Sequence, residues 1–161
     1  MNDPMLGVFQ GFDIAASGLR AEMQRSEVVV ANLSNMHDTG NLNDPPYRRK
    51  AVVFEEVMQE IAGLRGIPGG DKLAGGVRVR EVYEDRLTPY RRFYDESHPD
   101  AFHDENDPDN PENGWVYGTN VDLFQEMVDL MMIERSYQTK LASLRSYRDM
   151  VRDTITNIGR R

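Results

Sequence analysis

Cysteine is absent from the 161 residues, which excludes disulfides and thiolate metal sites and is compatible with a reducing or an oxidising compartment. Apolar material is also scarce. Tryptophan occurs once, aromatic residues make up 9%, and hydrophobic residues reach 39% at a mean hydropathy of −0.62. A compact fold of this length buries roughly 70% of its unfolded surface. So poor a supply predicts an elongated chain with modest burial, or ends that order only against neighbours. No run of 18 apolar residues occurs, so no transmembrane helix is expected and the chain does not read as an integral membrane protein. Basic residues are outnumbered, 19 against 27 acidic, for a net charge of −8; phosphate binding rests on lysine and arginine, so nucleic acid is not expected as a partner. The opening "MNDPMLGVFQ" has neither a basic n-region nor a continuous apolar h-region, and no conventional cleavable signal is expected.

What the chain does have is two long heptad stripes. Met5, Phe9, Phe12, Ala16, Leu19, Met23, Ser26, Val30 and Leu33 fall at alternating spacings of four and three, the seam of a coiled coil with one polar member. A helix over residues 5–33 would be roughly 43 Å long and needs a long partner. Gly7, Gly11 and Ala15 recur every fourth residue; interior glycines cost a helix about 0.5 to 1 kcal/mol each, so the row points to a close backbone approach. From Leu123 the same spacing selects Met127, Leu130, Glu134, Tyr137, Leu141, Leu144, Arg148, Val151, Ile155 and Ile158. Its two charged members fall where a straight helix drifts and Ile133 and Tyr147 rotate into the seam. Thr119 and Asp122 have capping-box spacing, Asn120 is an alternative N-cap, Asp122 and Glu126 suit the positive end of the dipole, and Gly159 would end the helix. At roughly 58 Å this helix outreaches the first, so the two termini are expected to pair.

The middle differs. "MHDTGNLNDPP" is turn-rich. "PYRRKAVVFEEV" and "GVRVREVYED" alternate as strands, and "PYRRFYDE" and "GWVYG" read as short extended segments. The fold class expected is α+β, with long N- and C-terminal helices pairing as a coiled coil around a small β-rich domain. The expected division is an N-terminal helix over residues 1–36, a β-containing middle over 37–118 with flexible loops at 63–76 and 101–113, and a C-terminal helix over 119–161.

Catalytic chemistry is thin. There is no G-x-S-x-G elbow and no P-loop. An EF-hand starting at Asp109 is excluded, because Pro111 and Asn120 occupy its third and twelfth positions. His98, Asp100, His103, Asp104 and Asp107 are metal-ligand types close together, against which stands a solvated acidic loop. Arg48, Arg49 and Lys50 read as an anion site or as a strand face that forms salt bridges.

Four stretches resemble flagellar basal-body rod proteins, and the proximal rod type in particular: "ASGL" at residues 16–19 with "VVANLSN" at 29–35; "PYRRKAVVFEE" at 46–56; "HPDA" at 98–101 with "NGWV" at 113–116; and "TNVDLFQEMVDLMMIERSYQTKLASL" at 119–144. The first and last resemble signatures shared by rod and hook proteins. The middle ones, Pro46, Tyr47, Arg48, Arg49 and Lys50 with His98, Pro99 and Asp100, point to the proximal type. One extra residue between Asn32 and Thr39, Thr119 in place of a common proline, and a longer, more acidic stretch after Ala101 depart from the pattern.

The resemblance implies a structural subunit of the drive shaft that carries torque from motor to hook. Its terminal helices would pair and line the inner tube, with the β-rich middle outside. The partners implied are copies of itself, other rod proteins and the flagellar type III export apparatus, which would deliver it uncleaved to the basal body in the periplasmic space. No catalysis, cofactor or metal is implied. The assembly residues expected on this ground are Gly11, Phe12, Ala15, Ala16, Leu19, Met23, Val30, Asn32, Leu33, Leu123, Met127, Leu130, Tyr137, Leu141 and Leu144. Two alternatives stand beside it: a non-flagellar coiled-coil scaffold protein, and a metal-dependent enzyme using the cluster from His98 to Asp107.

Overall fold

The computed structural model describes residues 4–60 and 72–158. The element order is α1 (Pro4–Ser34), β1 (Thr39–Gly40), β2 (Lys50–Glu60), β3 (Lys72–Glu84), β4 (Arg91–Tyr94), β5 (Trp115–Gly118) and α2 (Leu123–Ile158), an α+β chain. Both helices fall close to the heptad stripes, because only a helix places residues three and four apart on one side. β2 starts at Lys50 rather than at Pro46, since the Arg49 amide is engaged by the Asn120 side chain. β3 starts at Lys72, so residues 72–76 of the expected glycine-rich loop are strand. Extended backbone accepts these glycines, and Gly76 adopts φ +120°, a conformation that L side chains rarely adopt. Residues 61–71 of that loop, the expected terminator Gly159, the surroundings of Gly7 and the side chains of Met5, Phe9 and Ile158 lie outside the described residues.

Two compact units divide the chain: Met1–Ser26, Val52–Glu81 and Met131–Arg161 form unit 1, and Glu27–Ala51 and Val82–Leu130 form unit 2. Each therefore draws on both helices and on the middle, cutting across the three segments expected from sequence.

In unit 1 the two helices run antiparallel. Tyr147 lies edge-on to Phe12 with ring centroids 5.4 Å apart and fills the notch beside Gly11, where a Cβ would collide with its ring. Seven residues further along α1, Gly18 faces Lys140, seven residues back along α2. Among the described residues of unit 1, Ala21 and Ile133 are the buried apolar ones, and Glu22 is buried as well. Its Oε1 accepts hydrogen bonds from the Ser136 hydroxyl at 2.7 Å and from Lys140 Nζ at 2.6 Å. Burial alone would raise the Glu22 pKa. The bonds from Lys140 and Ser136 and the charges of Lys140 and Arg25 more than offset it, so the carboxyl is held below its ordinary value. β3, which pairs with β2 in a two-stranded sheet, reaches α1 through Ser17, whose hydroxyl accepts the Val77 N–H at 3.0 Å and donates to the Ile14 carbonyl at 2.7 Å.

Unit 2 holds a three-stranded antiparallel sheet in the order β1-β5-β4, with Thr39 opposite Gly118 and Arg91 opposite the same glycine on its other side. Val116 of the central strand is buried, with Val121, Val29 and Ala101. On the outer strand Arg92 stacks over Trp115 at 4.4 Å, and Tyr94 meets that ring edge-on. The acidic stretch at 101–113, expected to be a flexible loop, is braced by its own side chains. Asn113 accepts the Asp104 N–H at 2.7 Å and donates to the Asp107 and Pro108 carbonyls, while Asn110 donates to Asp104 at 3.0 Å. The N-cap of α2 is Asp122, whose carboxylate accepts the Gln125 N–H at 3.0 Å. Neither Thr119 nor Asn120 caps it, because the Thr119 hydroxyl is taken by the Val121 N–H and the Asn120 amide by groups of the middle segment.

Two outcomes follow for unit 1. Alanine at an interior glycine ordinarily gains a helix about 0.5 to 1 kcal/mol, but at Gly11 overpacking of about 1 to 3 kcal/mol outweighs it. Urea denaturation of Gly11→Ala should show a net loss near 1 kcal/mol, which Tyr147→Ala in the same chain removes; a gain in stability would contradict the notch. For Glu22, a folded pKa below the unfolded value of about 4.3 means that its contribution is present above that pH and is lost as pH falls through the folded pKa. Denaturation midpoints taken from pH 7 to pH 3 should therefore decline less steeply at the acid end in Glu22→Gln than in the wild type.

Candidate assembly interface

In unit 2 the local chemistry is inverted. A surface helix usually turns its apolar face inward, yet the buried residue in the first turn of α2 is Glu126, with no solvent exposure. Its Oε1 accepts the Arg49 Nε–H at 2.5 Å and its Oε2 accepts the Asn32 amide at 3.0 Å. Arg49 also reaches Asp129 at 3.2 Å. All four hydrogen-bonding positions of the Asn32 side chain are engaged: Nδ2 donates to Glu126 and to the Lys50 carbonyl at 2.9 Å, and Oδ1 accepts the Lys50 N–H at 2.9 Å and the Tyr47 hydroxyl at 3.0 Å. Burial, with the negative charges of Glu126 and Glu84, keeps the Tyr47 phenol above its ordinary pKa and therefore protonated as the donor. Asn120 closes the arrangement, accepting the Arg49 N–H at 2.7 Å and donating to the carbonyls of Asp85 and Thr88.

With the carboxylate inside, Phe124 and Val128, two residues to either side of it, lie on the opposite side of the helix, while Leu123 and Leu130 border the buried side. Leu123, Phe124, Met127, Val128 and Leu130 are all exposed, Phe124 to 78%. In unit 1, Met23, Met131, Met132 and Tyr137 are exposed as well. Of the residues expected at an assembly interface, Met23, Val30, Leu123, Met127, Leu130 and Tyr137 lie exposed. Gly11, Phe12, Ala15, Ala16, Leu19, Leu33, Leu141 and Leu144 are half-buried. Asn32 is buried within the chain and has no free amide group to offer a neighbour. Phe124 and Val128 were missed by reading one heptad seam; they lie on the adjacent stripe, and the signal for them is that Glu126 breaks the inward face.

The middle signature is structural. Pro46 is buried and its carbonyl accepts the Tyr90 hydroxyl. Arg48 stacks over Tyr90 at 4.1 Å and donates to the Asp85 carbonyl at 3.1 Å, and the Lys50 ammonium sits 5.3 Å over the Tyr47 ring. With Arg49 on Glu126 and Asp129, the basic cluster faces groups of its own unit. The His98-Pro99-Asp100 turn is held in the same way: His98 Nδ1 accepts the Asp100 N–H at 3.1 Å, and the Asp100 carboxylate accepts the Thr39 hydroxyl at 2.6 Å. Among the described residues no three His, Asp or Glu side chains converge to hold a metal ion, and no helix is long and apolar enough to cross a membrane.

Long helices with exposed apolar side chains thus accompany a middle segment whose basic cluster and His98 turn are engaged within unit 2. The family described as "Flagellar basal body rod FlgEFG protein C-terminal" matches residues 112–157, which contain the first turns of α2 and most of its length. That segment resembles a domain of flagellar rod proteins. Similarity to curated proteins extends over nearly the whole sequence. The flagellar basal-body rod protein FlgC of Salmonella typhimurium is 34% identical across 90% of this chain and 93% of its own length. FlgC of Bacillus subtilis is 32% identical across 89% and 93%, and that of Borreliella burgdorferi 28% across 93% and 97%. The chain belongs to the FlgC family of flagellar basal-body rod proteins. It is a structural subunit of the proximal rod in the flagellar basal body.

Removing one member of a buried ion pair leaves an uncompensated charge and costs about 3 to 5 kcal/mol. Arg49→Met should therefore unfold at markedly lower urea, and Arg49→Met with Glu126→Met should recover part of the loss, the remainder being the Asn32 amide left without its acceptor. Equal destabilisation in the single and double variants would contradict the pairing.

Proposed function

We propose that the subunit joins the rod through the outward apolar stripes of its terminal helices, which pair in the manner of a coiled coil and pack against helices of neighbouring subunits. The observation that carries this reading is the inverted start of α2, with Glu126 inside and Leu123, Phe124, Met127, Val128 and Leu130 outside. Full burial of a large apolar side chain is worth about 1.5 to 3 kcal/mol. Five in one patch are a strong driving force for association and have no comparable role in a free chain. Copies of the chain and other rod proteins are the natural occupants, added through head-to-tail contacts that continue as an open helix. The product is the drive shaft that carries torque from motor to hook.

Met127, with Met23 and Met131 in unit 1, adds side chains that adapt to unequal environments, as neighbours of different sequence require. Catalysis has no part in this reading, nor does a cofactor or metal: Arg48, Arg49, His98 and Asp100 are engaged in holding the fold. Delivery through the flagellar type III export apparatus accords with low hydrophobicity, which makes a chain easy to unfold.

The test separates assembly from folding. Phe124 and Val128 are exposed by half or more in the single chain, so aspartate at either position should change the stability of the purified protein by no more than about 0.5 kcal/mol. In the rod the same charge would meet a desolvated seam at a cost of several kcal/mol. Cells carrying Phe124→Asp or Val128→Asp should lose swimming and intact rods, while the purified variants keep wild-type urea midpoints. Wild-type swimming in both would overturn the interface.

A further inference from the structure

We infer that Glu22 enforces, within unit 1, the register of α1 against α2 that the Asn32–Glu126 hydrogen bond holds in unit 2, an inference that rests on the helix pairing proposed above. Glu22 is buried beside Ala21 and Ile133. A carboxylate there is a poor choice for stability, because a well-packed hydrophobic residue is commonly as good or better. Its value lies in selectivity. Ser136 and Lys140 stand one helical turn apart on α2, and both donate to the same oxygen, Oε1. The other oxygen, Oε2, is buried without a hydrogen-bond partner among the described residues. The carboxylate thus depends on the two donors at Oε1 and on the nearby charges of Lys140 and Arg25.

A heptad seam is nearly indifferent to sliding by seven residues, since apolar positions replace apolar positions. Glu22 is not. Slid one way, Ser143 and Tyr147 would take the places of Ser136 and Lys140, leaving two hydroxyls and no cation. Slid the other way, Asp129 and Ile133 would take them, setting a second carboxylate and an alkyl chain against a buried charge. Only the observed alignment supplies a cation and a hydroxyl together. A polar group in an apolar seam that fixes alignment at a cost in stability is the best-attested use of such residues.

The absence of cysteine makes cross-linking of an introduced cysteine pair by a short bis-maleimide, in the full chain, a clean readout, since ring contact does not imply disulfide geometry. One variant carries Phe12→Cys and Tyr147→Cys, the pair in contact in unit 1. The other carries Phe12→Cys and Thr154→Cys, one heptad out of register, together with Tyr147→Ala so that the aromatic notch is absent from both. With Glu22 intact, the trapped yield of the first pair should exceed that of the second by about ten-fold or more, the worth of one hydrogen bond to a charged group. Glu22→Leu should narrow that ratio by about three-fold or more. If the slide runs the other way, the 12–147 yield falls and Phe12→Cys with Lys140→Cys traps instead, Lys140 having lost its partner in that background. Glu22→Gln keeps an acceptor at Oε1 and should keep the native pair dominant. Should Glu22→Leu lose its helical circular dichroism, Ser136→Ala with Lys140→Met removes the donors and should give the same shift. An unchanged preference for 12–147 without Glu22, or without its donors, would overturn the inference. Failure of 12–147 to form with Glu22 intact would instead overturn the pairing of the helices, and the register with it.

Discussion

A carboxylate deprived of solvent is tolerated only where other groups replace the water it has lost, and in unit 2 that requirement organises the surroundings of Glu126. Three parts of the chain meet there: Asn32 from the end of α1, Tyr47, Arg49 and Lys50 from the approach to β2, and α2 itself. None can be withdrawn without leaving an unpaired buried group. Asn32 binds its neighbours through both its amide hydrogens and its oxygen, so it fixes position as well as charge. The specificity of this unit thus comes from polar satisfaction more than from the volume of its apolar core, which suits a chain so poor in apolar residues.

The same requirement determines what faces outward. Once Glu126 turns inward, helical geometry leaves Phe124 and Val128 on the far side, with Leu123 and Leu130 at the border of the buried side. An ordinary domain would bury them; here they stay exposed and are available for the assembly proposed above. On that proposal, stability of the single chain and readiness to assemble lie on different faces of one helix. In unit 1 the division is less sharp, because Phe12, Tyr147 and Gly11 make a tight intramolecular contact while Met23, Met131 and Met132 stay exposed.

Much of this was legible from residue order alone. The two heptad stripes predicted both helices to within a few residues, and the alternation of Val77 and Val79 with Arg78 and Arg80 predicted β3, since period is a local property. The quoted signatures identified the family. The start of α2 was misassigned: Thr119, Asn120 and Asp122 are all competent caps by type, and the choice fell to Asp122 because the other two side chains are held elsewhere. Glu126 looked like a complement to the helix dipole, which is true of its position but not of its burial.

What the sequence determined by itself, then, was the set of elements and the kind of protein, because periodicity, turn residues and signature stretches all act over short separations along the chain. Only the tertiary structure decided which side of α2 faces inward and which residues Arg48, Arg49 and Lys50 engage. It likewise decided that the acidic stretch at 101–113 is braced and that Asn32 is consumed internally. Each of those outcomes depends on groups dozens of residues apart, such as Asn32 with Glu126 or Arg49 with Asn120. A pairing of that kind leaves no period in the sequence, since it is set by which buried polar groups find partners when the chain closes on itself.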